Sequence, residues 1–283
     1  TSTIVARDPK TGSVRWAVQL TPGDRWGFDA TNENILADLT VEGQTVKALV
    51  HFDRNGFAYT IDRVTGRILV AEKYGPANWA SRVDLQTGQP AIDSAFAPAT
   101  GRAVVGVCPS AMGMKTFQPA AFSPVTGLFY VPATNLCMNI TPVPTGFTPG
   151  KPFLGATIEV TPGPGRNRGR FLAWDATTGT IAWEARETYP VLSGALVTAG
   201  GVVFYGTLDG WFKALDATTG RELWRFKTPS GIVGNPISFS GPDGRQYVAI
   251  VSGLGGPLAG LGGGVVGLDR VTKPGGVLLV FAF

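Results

Sequence analysis

The chain has 283 residues, of which 44% are apolar and only 16% are charged, so it can bury a large core and is not a disordered tail. Its 39 glycines and 21 prolines are poorly tolerated in helix interiors and favour short strands joined by tight turns. The net charge is +4, and the Lys and Arg residues are scattered, apart from Arg166, Arg168 and Arg170 in a Pro/Gly-rich loop. The lack of one basic face argues against nucleic-acid binding.

The chain begins inside a predicted strand, so we expect that this N-terminus is not the natural start of the gene product. A turn motif, Asp-x-x-Thr-Gly, follows and recurs along the chain. Its copies lie at residues 8–12, 62–66, 84–88, 175–179 and 216–220, with a variant at 123–127. The aspartate can accept hydrogen bonds from turn amides and the glycine can adopt a positive φ, so each copy predicts a β-hairpin.

A tryptophan follows the aspartate of three copies at the same offset of eight residues. These tryptophans are Trp16, Trp183 and Trp224, whereas the copy at Asp62 has Val70. A large flat indole in the same place of each unit could wedge between neighbouring sheets. Without the copy at Asp84 and with the variant at 123–127 included, successive copies are roughly 40 to 60 residues apart, which suits one four-stranded propeller blade per repeat.

The repeats therefore predict an all-β fold, a β-propeller of four-stranded antiparallel blades with tryptophan-docking motifs. Residues 1–283 would form a single propeller domain, or an arc of about four to five blades. Because a propeller must close to remove its sheet edges, it is either small and closed or completed by other residues, and the abrupt N-terminus favours the arc. A β-sandwich with similar hairpins is the alternative.

The cysteine and histidine content restricts the chemistry. Cys108 and Cys137 belong to no CxxC motif and His51 is the only histidine, which excludes zinc sites built on these residue types and attachment of a c-type haem. His51 follows an apolar run and reads as a satisfied strand histidine. The two cysteines could form one disulfide, which would imply an oxidising compartment, or could remain a pair of buried thiols.

An uncharged stretch near the C-terminus raises the question of a membrane span. Residues 247–268 carry no charge, but the part from 253 to 267 contains eight glycines and Pro257. A strand, a glycine-rich loop and a second strand fit this composition better, so no transmembrane segment is expected.

Five longer stretches resemble the PQQ-dependent (quinoprotein) methanol and ethanol dehydrogenases, in that family's order. They read TPGDRWGFD (21–29), ALVHFDRNG (48–56), CPSAMG (108–113), FYGTLDGW (204–211) and FKTPSG (226–231). The tryptophan repeat resembles the same family's docking motif, and the resemblance covers nearly the whole chain. It implies the C-terminal half of an eight-bladed propeller.

The resemblance also implies an activity. Family members hold pyrroloquinoline quinone (PQQ) beside a Ca²⁺ or lanthanide ion and oxidise alcohols in the bacterial periplasm. We therefore expect a periplasmic PQQ-dependent alcohol dehydrogenase, or a portion of one, acting on a small primary alcohol. The missing blades, with further metal and PQQ ligands, would come from another segment or another chain, and a homodimer is one such arrangement.

Two residues are assigned by the resemblance to catalysis. Gly27 stands where the family has its catalytic aspartate, so the expected general base is missing. Asp29, two residues on, matches an additional aspartate that is typical of the lanthanide-dependent members, and it could bind the metal or act as a base. Arg54 matches the cation that contacts the quinone oxygens and would stabilise charge there.

The remaining cofactor positions depart from the family pattern together. Lys115 is retained, Thr116 replaces an asparagine that contacts PQQ, and Phe117 replaces a tryptophan. Leu192 stands where the family has the tryptophan beneath PQQ, and Pro257 replaces another tryptophan. These changes support an alternative function, a catalytically inactive propeller scaffold or binding module of the same family.

The resemblance further implies that Cys108 and Cys137 form a structural disulfide. The bond would close a loop of about 30 residues and contribute ~2–4 kcal/mol to stability. Such a bond agrees with a periplasmic origin.

Overall fold

The computed structural model describes residues 2–150, 154–255 and 267–282. Pro257 and most of the glycine-rich stretch lie outside the described residues. Contacts divide the chain into two compact units. Unit 1 comprises Thr1–Thr31, Leu36–Thr116 and Leu136–Pro164, and unit 2 comprises Asn32–Ile35, Phe117–Asn135 and Gly165–Phe283.

The sheets of unit 1 are antiparallel and are formed from eleven strands among the described residues. The strands are β1 (Thr3–Arg7), β2 (Val14–Gln19), β3 (Asn34–Val41), β4 (Gln44–Phe52), β5 (Phe57–Asp62), β6 (Ile68–Lys73), β7 (Ala80–Val83), β8 (Pro90–Ile92), β9 (Val104–Val107), β12 (Leu136–Pro142) and β13 (Ala156–Pro162). Their order is β1-β2, β3-β4-β5-β6, β7-β8 and β13-β12-β9. A 3₁₀ turn spans Ser94–Phe96.

Unit 2 repeats the antiparallel four-stranded pattern. Its described strands are β10 (Ala121–Phe122), β11 (Phe129–Thr134), β14 (Gly169–Asp175), β15 (Thr180–Glu187), β16 (Leu196–Val197), β17 (Val202–Gly206), β18 (Trp211–Asp216), β19 (Glu222–Lys227), β20 (Ile237–Ser240), β21 (Gln246–Gly253) and β22 (Gly276–Ala282). They form the sheets β10-β11-β14-β15, β16-β17-β18-β19 and β20-β21-β22. A 3₁₀ turn spans Leu268–Arg270.

All five Asp-x-x-Thr-Gly motifs are hairpin turns, as predicted. They join β1 to β2, β5 to β6, β7 to β8, β14 to β15 and β18 to β19. In the last of these, Oδ1 of Asp216 accepts the backbone N–H groups of Thr218 and Thr219 at 3.0 and 2.8 Å. Gly220 completes the turn with a φ of +72°. The copy at Asp84, which did not fit the blade spacing, closes the two-stranded β7–β8 sheet.

The docking role of the tryptophans is visible within each unit. The indole N–H of Trp183 donates to the carbonyl oxygen of Ala217 at 3.0 Å, and the ring covers Gly220 so closely that an added Cβ would lie 2.6 Å from it. Trp16 covers Gly66 in the same way, at 2.8 Å. The tryptophan in the second strand of one hairpin therefore packs on the hairpin turn of the next sheet.

One face of the β20–β21–β22 sheet is apolar and, among the described residues, largely exposed. The register pairs Ala249 with Val280 and Val251 with Leu278, which places these side chains on one face. Val251, Leu278 and Val280 are 50%, 63% and 49% exposed. The opposite face carries Val248, Ile250 and Phe281, which pack against Phe204 and Phe212 of the preceding sheet.

Among the described residues, no helix has the length and hydropathy needed to cross a bilayer.

Candidate functional site

Arg54 lies in the tight turn between β4 and β5, and its neighbours fix that turn. Oδ1 of Asp53 accepts the backbone N–H of Asn55 at 2.8 Å, and Oδ1 of Asn55 accepts the N–H of Phe57 at 2.9 Å. His51, at the end of β4, is buried with its Nε2 3.2 Å from Oδ2 of Asp53. The interpretation of His51 as a satisfied strand histidine is therefore confirmed.

The guanidinium of Arg54 is held by main-chain oxygens. Its Nη1 donates to the carbonyl oxygen of Asp29 at 3.0 Å, and its Nη2 donates to that of Ala111. Its Nε is buried and has no hydrogen-bond partner in the described part of the chain. Burial lowers the pKa of Arg54, and the nearby carboxylates of Asp29 and Asp53 oppose this effect. The result is a fixed cation with one free donor.

The segment that carries Lys115 is built around the stem of Arg54. The backbone N–H of Met114 donates to the carbonyl oxygen of Arg54 at 3.0 Å. Gly113 has a φ of +79°, and a Cβ there would lie 2.7 Å from Cβ of Arg54, so only glycine allows this approach. Lys115 is fully buried, and its Nζ lies 3.4 Å from the carbonyl oxygen of Thr116.

The loop over residues 24–29 is tied by a carboxylate that the sequence analysis missed. Oδ1 of Asp24 accepts the backbone N–H groups of Trp26 and Gly27 at 2.9 and 3.1 Å. Burial raises the pKa of Asp24, and the charge of Asp29 raises it further. Asp24 stands in the same TPGDRWGFD stretch as Asp29, two residues before Trp26. That position was the sequence feature that could have identified it as a residue of the site.

Gly27 leaves open space where the family has its catalytic aspartate. It adopts a φ of +78°, and within 4 Å an added Cβ would meet only Cβ of Ala111, at 3.6 Å. Asp29, by contrast, is exposed. Within the described residues, no group of three or more His, Cys, Asp and Glu side chains is placed to hold a metal ion. Asp24 and Asp29 are the carboxylates that this loop offers.

The structure therefore brings Asp29, Arg54 and the segment ending in Lys115 and Thr116 together within unit 1. The other two predicted cofactor residues, Phe117 and Leu192, belong to unit 2.

In unit 2, the segments around Phe117 and Leu192 contact each other. Nε2 of Gln118 donates to the carbonyl oxygen of Val191 at 3.2 Å, and the N–H of Ala195 donates to that of Pro119 at 2.9 Å. Phe117 is 44% exposed. Leu192 is fully buried, and its apolar cluster also contains Leu208 and Leu268.

The predicted disulfide is present and supports the Arg54 segment. It joins Cys108, directly after β9, to Cys137 in β12. The N–H of Ser110 donates to the carbonyl oxygen of Leu136 at 2.9 Å beside this bond. The strand β12 is thereby linked to the loop that supplies the Ala111 oxygen to Arg54.

Comparison with known proteins identifies the family and the fold. The family model described as "PQQ: Glucose/ethanol/alcohol dehydrogenase, beta-propeller domain" matches residues 1–91 and 185–248. A europium-containing methanol dehydrogenase of known structure has a TM-score of 0.95 and 48% identity, covering 100% of this chain and 53% of that one. The prediction of a propeller with four-stranded antiparallel blades is confirmed.

Two curated relatives extend the comparison. The lanthanide-dependent methanol dehydrogenase of Methylacidiphilum fumariolicum is 48% identical over 301 residues, covering 99% of this chain and 49% of that protein. The quinoprotein ethanol dehydrogenase of Pseudomonas aeruginosa is 40% identical over 290 residues, with coverages of 99% and 46%. The chain thus spans about half the length of the curated relatives it matches. By its repeats, its fold and these matches, the chain belongs to the glucose/ethanol/alcohol dehydrogenase family of PQQ β-propeller domains.

Proposed function

We propose that the chain is the corresponding part of a PQQ-dependent alcohol dehydrogenase that oxidises primary alcohols with the help of a Ca²⁺ or lanthanide ion. The setting of Arg54 carries this proposal. Its two Nη groups are held by the carbonyl oxygens of Asp29 and Ala111, while its buried Nε–H has no acceptor in the described part of the chain. A fixed donor of this kind fits an oxygen-rich anionic group.

The chemistry divides between the cofactor and the chain. When bound, PQQ supplies a two-electron acceptor whose carbonyl is polarised by the neighbouring cation. Arg54 would place its positive charge beside the quinone and stabilise negative charge there. Asp29 would give a carboxylate oxygen to the cation or take the proton of the substrate hydroxyl.

The other assigned residues would line the cofactor. These residues are Lys115, Thr116, Phe117 and Leu192. Gly27 does not fit the usual arrangement, because it offers no carboxylate as a general base. The proposal therefore gives the proton-accepting role to Asp29.

The test is a titration of the purified chain with PQQ, in the presence and absence of Ca²⁺ or a lanthanide, followed by tryptophan fluorescence and dye-linked oxidation of a primary alcohol. We expect saturable binding that needs the cation. Asp29→Ala should abolish turnover, while Glu72→Ala, which removes an exposed carboxylate on β6, should not. Cation-independent binding, or binding that Arg54→Ala leaves unchanged, would contradict the proposal.

A second function, a redox-inactive scaffold of the same family, is favoured by one specific observation. Leu192 is fully buried in an apolar cluster, so it presents no flat ring to a cofactor. If a well-folded chain binds neither PQQ nor a cation, either the missing blades are essential for binding or the cofactor site has been lost, and the scaffold function would then rank first.

We also propose that the chain forms an arc of about four to five blades that other blades complete. The exposed apolar face of the β20–β21–β22 sheet supports this, because such faces are covered in stable assemblies. The missing blades would come from another segment or from a second copy. Light scattering of the purified chain distinguishes a dimer from a monomer, and Leu278→Lys should weaken any dimer that uses this face.

We also propose a periplasmic location for the chain, on the basis of its disulfide. The Cys108–Cys137 disulfide is of the kind that persists in oxidising compartments. Fractionation of cells that produce the protein would test the location.

A further inference from the structure

The turn that supplies a carbonyl oxygen to Arg54 leaves two backbone groups of its own for outside partners. The N–H of Gly113 donates to the carbonyl oxygen of Ser110 at 2.7 Å, so residues 110–113 form a β-turn. The hydrogen bond of such a turn uses only its first and last residues. The N–H and the carbonyl oxygen of Ala111, the second residue, therefore need partners outside the turn.

The outside partners of Ala111 are a thioether and a guanidinium. Its N–H donates to Sδ of Met138, with 3.1 Å between nitrogen and sulfur. Its carbonyl oxygen accepts a hydrogen bond from Nη2 of Arg54. A thioether is a weak acceptor, but it is the one that this partly buried N–H meets. Met138 thus contacts the peptide group before Ala111, and Arg54 contacts the peptide group after it.

The sulfur of Met138 is held in place by the core and by the sheet. The side chain is fully buried in the apolar core of unit 1, where close packing restricts its movement. In the ladder between β12 and β9, Met138 pairs with Val107, and the disulfide residue Cys137 directly precedes it. The hydrogen bond from Ser110 to Leu136 joins the start of the turn to the same strand. The sulfur is therefore a fixed point from which the turn can be placed.

We propose that Met138 is a positioning residue for Arg54 and acts through Ala111. By holding the N–H of Ala111, the thioether sets the direction of the carbonyl oxygen that orients the guanidinium. The inference rests on the proposed function, because Arg54 is there the cation beside the quinone. A displaced guanidinium would stabilise charge on the cofactor less well, since a fixed charge acts only from a defined position.

Met138→Leu tests this role, because it nearly conserves the volume of the side chain and removes the sulfur. In the cofactor-free chain, hydrogen exchange of the Ala111 amide should accelerate by about tenfold, and its NMR signal should shift. The Nη signals of Arg54 should shift as well, because the acceptor of Nη2 moves. Arg54 signals that stay unchanged in the folded variant would overturn the proposal, even if the Ala111 signal shifts.

Ile61→Leu is the matched control. Ile61 is fully buried in a strand of the same core, and its exchange for leucine also conserves volume, but its side chain has no acceptor to lose. Equal shifts of the Ala111 and Arg54 signals in both variants would indicate a general loosening of the core and would contradict the proposal. Urea unfolding confirms that both variants fold.

A measurement on the unmodified chain keeps the proposal testable if Met138→Leu does not fold. The amide of Ala111 should then exchange at least about tenfold more slowly than an unstructured alanine does, because its hydrogen is bonded to sulfur. Exchange at the unprotected rate would contradict the contact.

Cofactor binding separates this inference from the proposed function. With PQQ and the cation present, Met138→Leu should raise the dissociation constant of PQQ by about fivefold, and Ile61→Leu should change it by less than about twofold. If the chain binds no PQQ while its Ala111 and Arg54 signals respond to Met138→Leu, the positioning role stands and the redox function fails. Equal PQQ affinities of the unmodified chain and the Met138→Leu variant would overturn the role of Met138 and leave the proposed function standing.

Discussion

The side chain of Arg54 donates from Nη1 to the main-chain oxygen of Asp29, with 3.0 Å between the two atoms. The cation assigned to the quinone and the carboxylate assigned to the metal are thus joined through backbone rather than through an ion pair. Asp29 stays exposed, and the charge of its carboxylate acts to raise the pKa of Arg54 against the effect of burial. A change at Arg54 should therefore disturb both roles.

Arg54→Lys tests this coupling. A lysine has a single ammonium group and cannot reach both carbonyl oxygens with the geometry of the guanidinium, so the free energy of unfolding should fall by about 1–3 kcal/mol. PQQ binding should weaken as well. Urea denaturation measures the first effect and fluorescence titration the second. Arg67→Lys, at an exposed turn position, serves as the control, and an equal loss in that variant would contradict the assignment.

Gly27→Asp restores the carboxylate that the family has at this position. The space is open, because the nearest atom to an added Cβ is 3.6 Å away, and aspartate tolerates a positive φ better than most residues do. If the missing base limits the reaction, dye-linked turnover should rise by about 10²-fold. Gly23→Asp has a similar backbone, with a φ of +60°, and should give no gain. A folded, PQQ-binding Gly27→Asp variant without a gain would show that the reaction is not limited by the lack of a carboxylate at this position.

Gly220→Ala tests the docking of Trp183. Gly220 and Gly127 share nearly the same φ, +72° and +71°, so alanine at either position should cost about 1–2 kcal/mol of backbone strain. Only at Gly220 does the new Cβ meet the indole, at 2.6 Å, whereas nothing lies within 4 Å at Gly127. We expect a further ~1–3 kcal/mol of destabilisation for Gly220→Ala, read from thermal or urea unfolding. Equal losses would indicate that the tryptophan contact contributes little.

Removal of the disulfide should destabilise unit 1. The bond joins residues 29 apart in sequence, and its loss should cost ~2–4 kcal/mol. The double variant Cys108→Ala/Cys137→Ala and the reduced protein should unfold at the same lower urea concentration. Because the bond supports the loop next to Arg54, PQQ affinity should fall in parallel. Unchanged unfolding after complete reduction would contradict this role.

The turn aspartates predict a loss of stability in acid. The backbone N–H of Thr219, followed by its hydroxyl, lowers the pKa of Asp216 below its ordinary value, and Thr87 does the same for Asp84. A group whose pKa is lowered by folding contributes its full stability above its unfolded pKa, about 3.9, and loses it as the pH falls through the lower, folded value. Urea midpoints measured from pH 6 down to pH 2.5 should therefore fall below about pH 4. Asp216→Asn should make that decline shallower, and an unchanged slope would argue against the turn hydrogen bonds.

The sequence by itself determined the blade architecture. The spacing of Asp-x-x-Thr-Gly and the offset of Trp16, Trp183 and Trp224 are local patterns, because a hairpin turn and its docking residue lie within one short stretch of chain. The candidate roles of Asp29 and Arg54 came from the family resemblance of the stretches that contain them, and they stay predictions. The pairing of Cys108 with Cys137 was implied by the family resemblance and is present in the structure.

Only the tertiary structure decided what surrounds those residues. The acceptors that orient Arg54 are the main-chain oxygens of Asp29 and Ala111. Every residue type carries such an oxygen, so the sequence does not show which ones accept hydrogen bonds from Arg54. The packing of the β12–β13 hairpin on the core of unit 1 depends on the register that sets Ile140 opposite Ile158, and a shift of one residue would turn that face away. Contacts between distant segments decide such features, whereas the periodic pattern of a single segment decides the turns and strands.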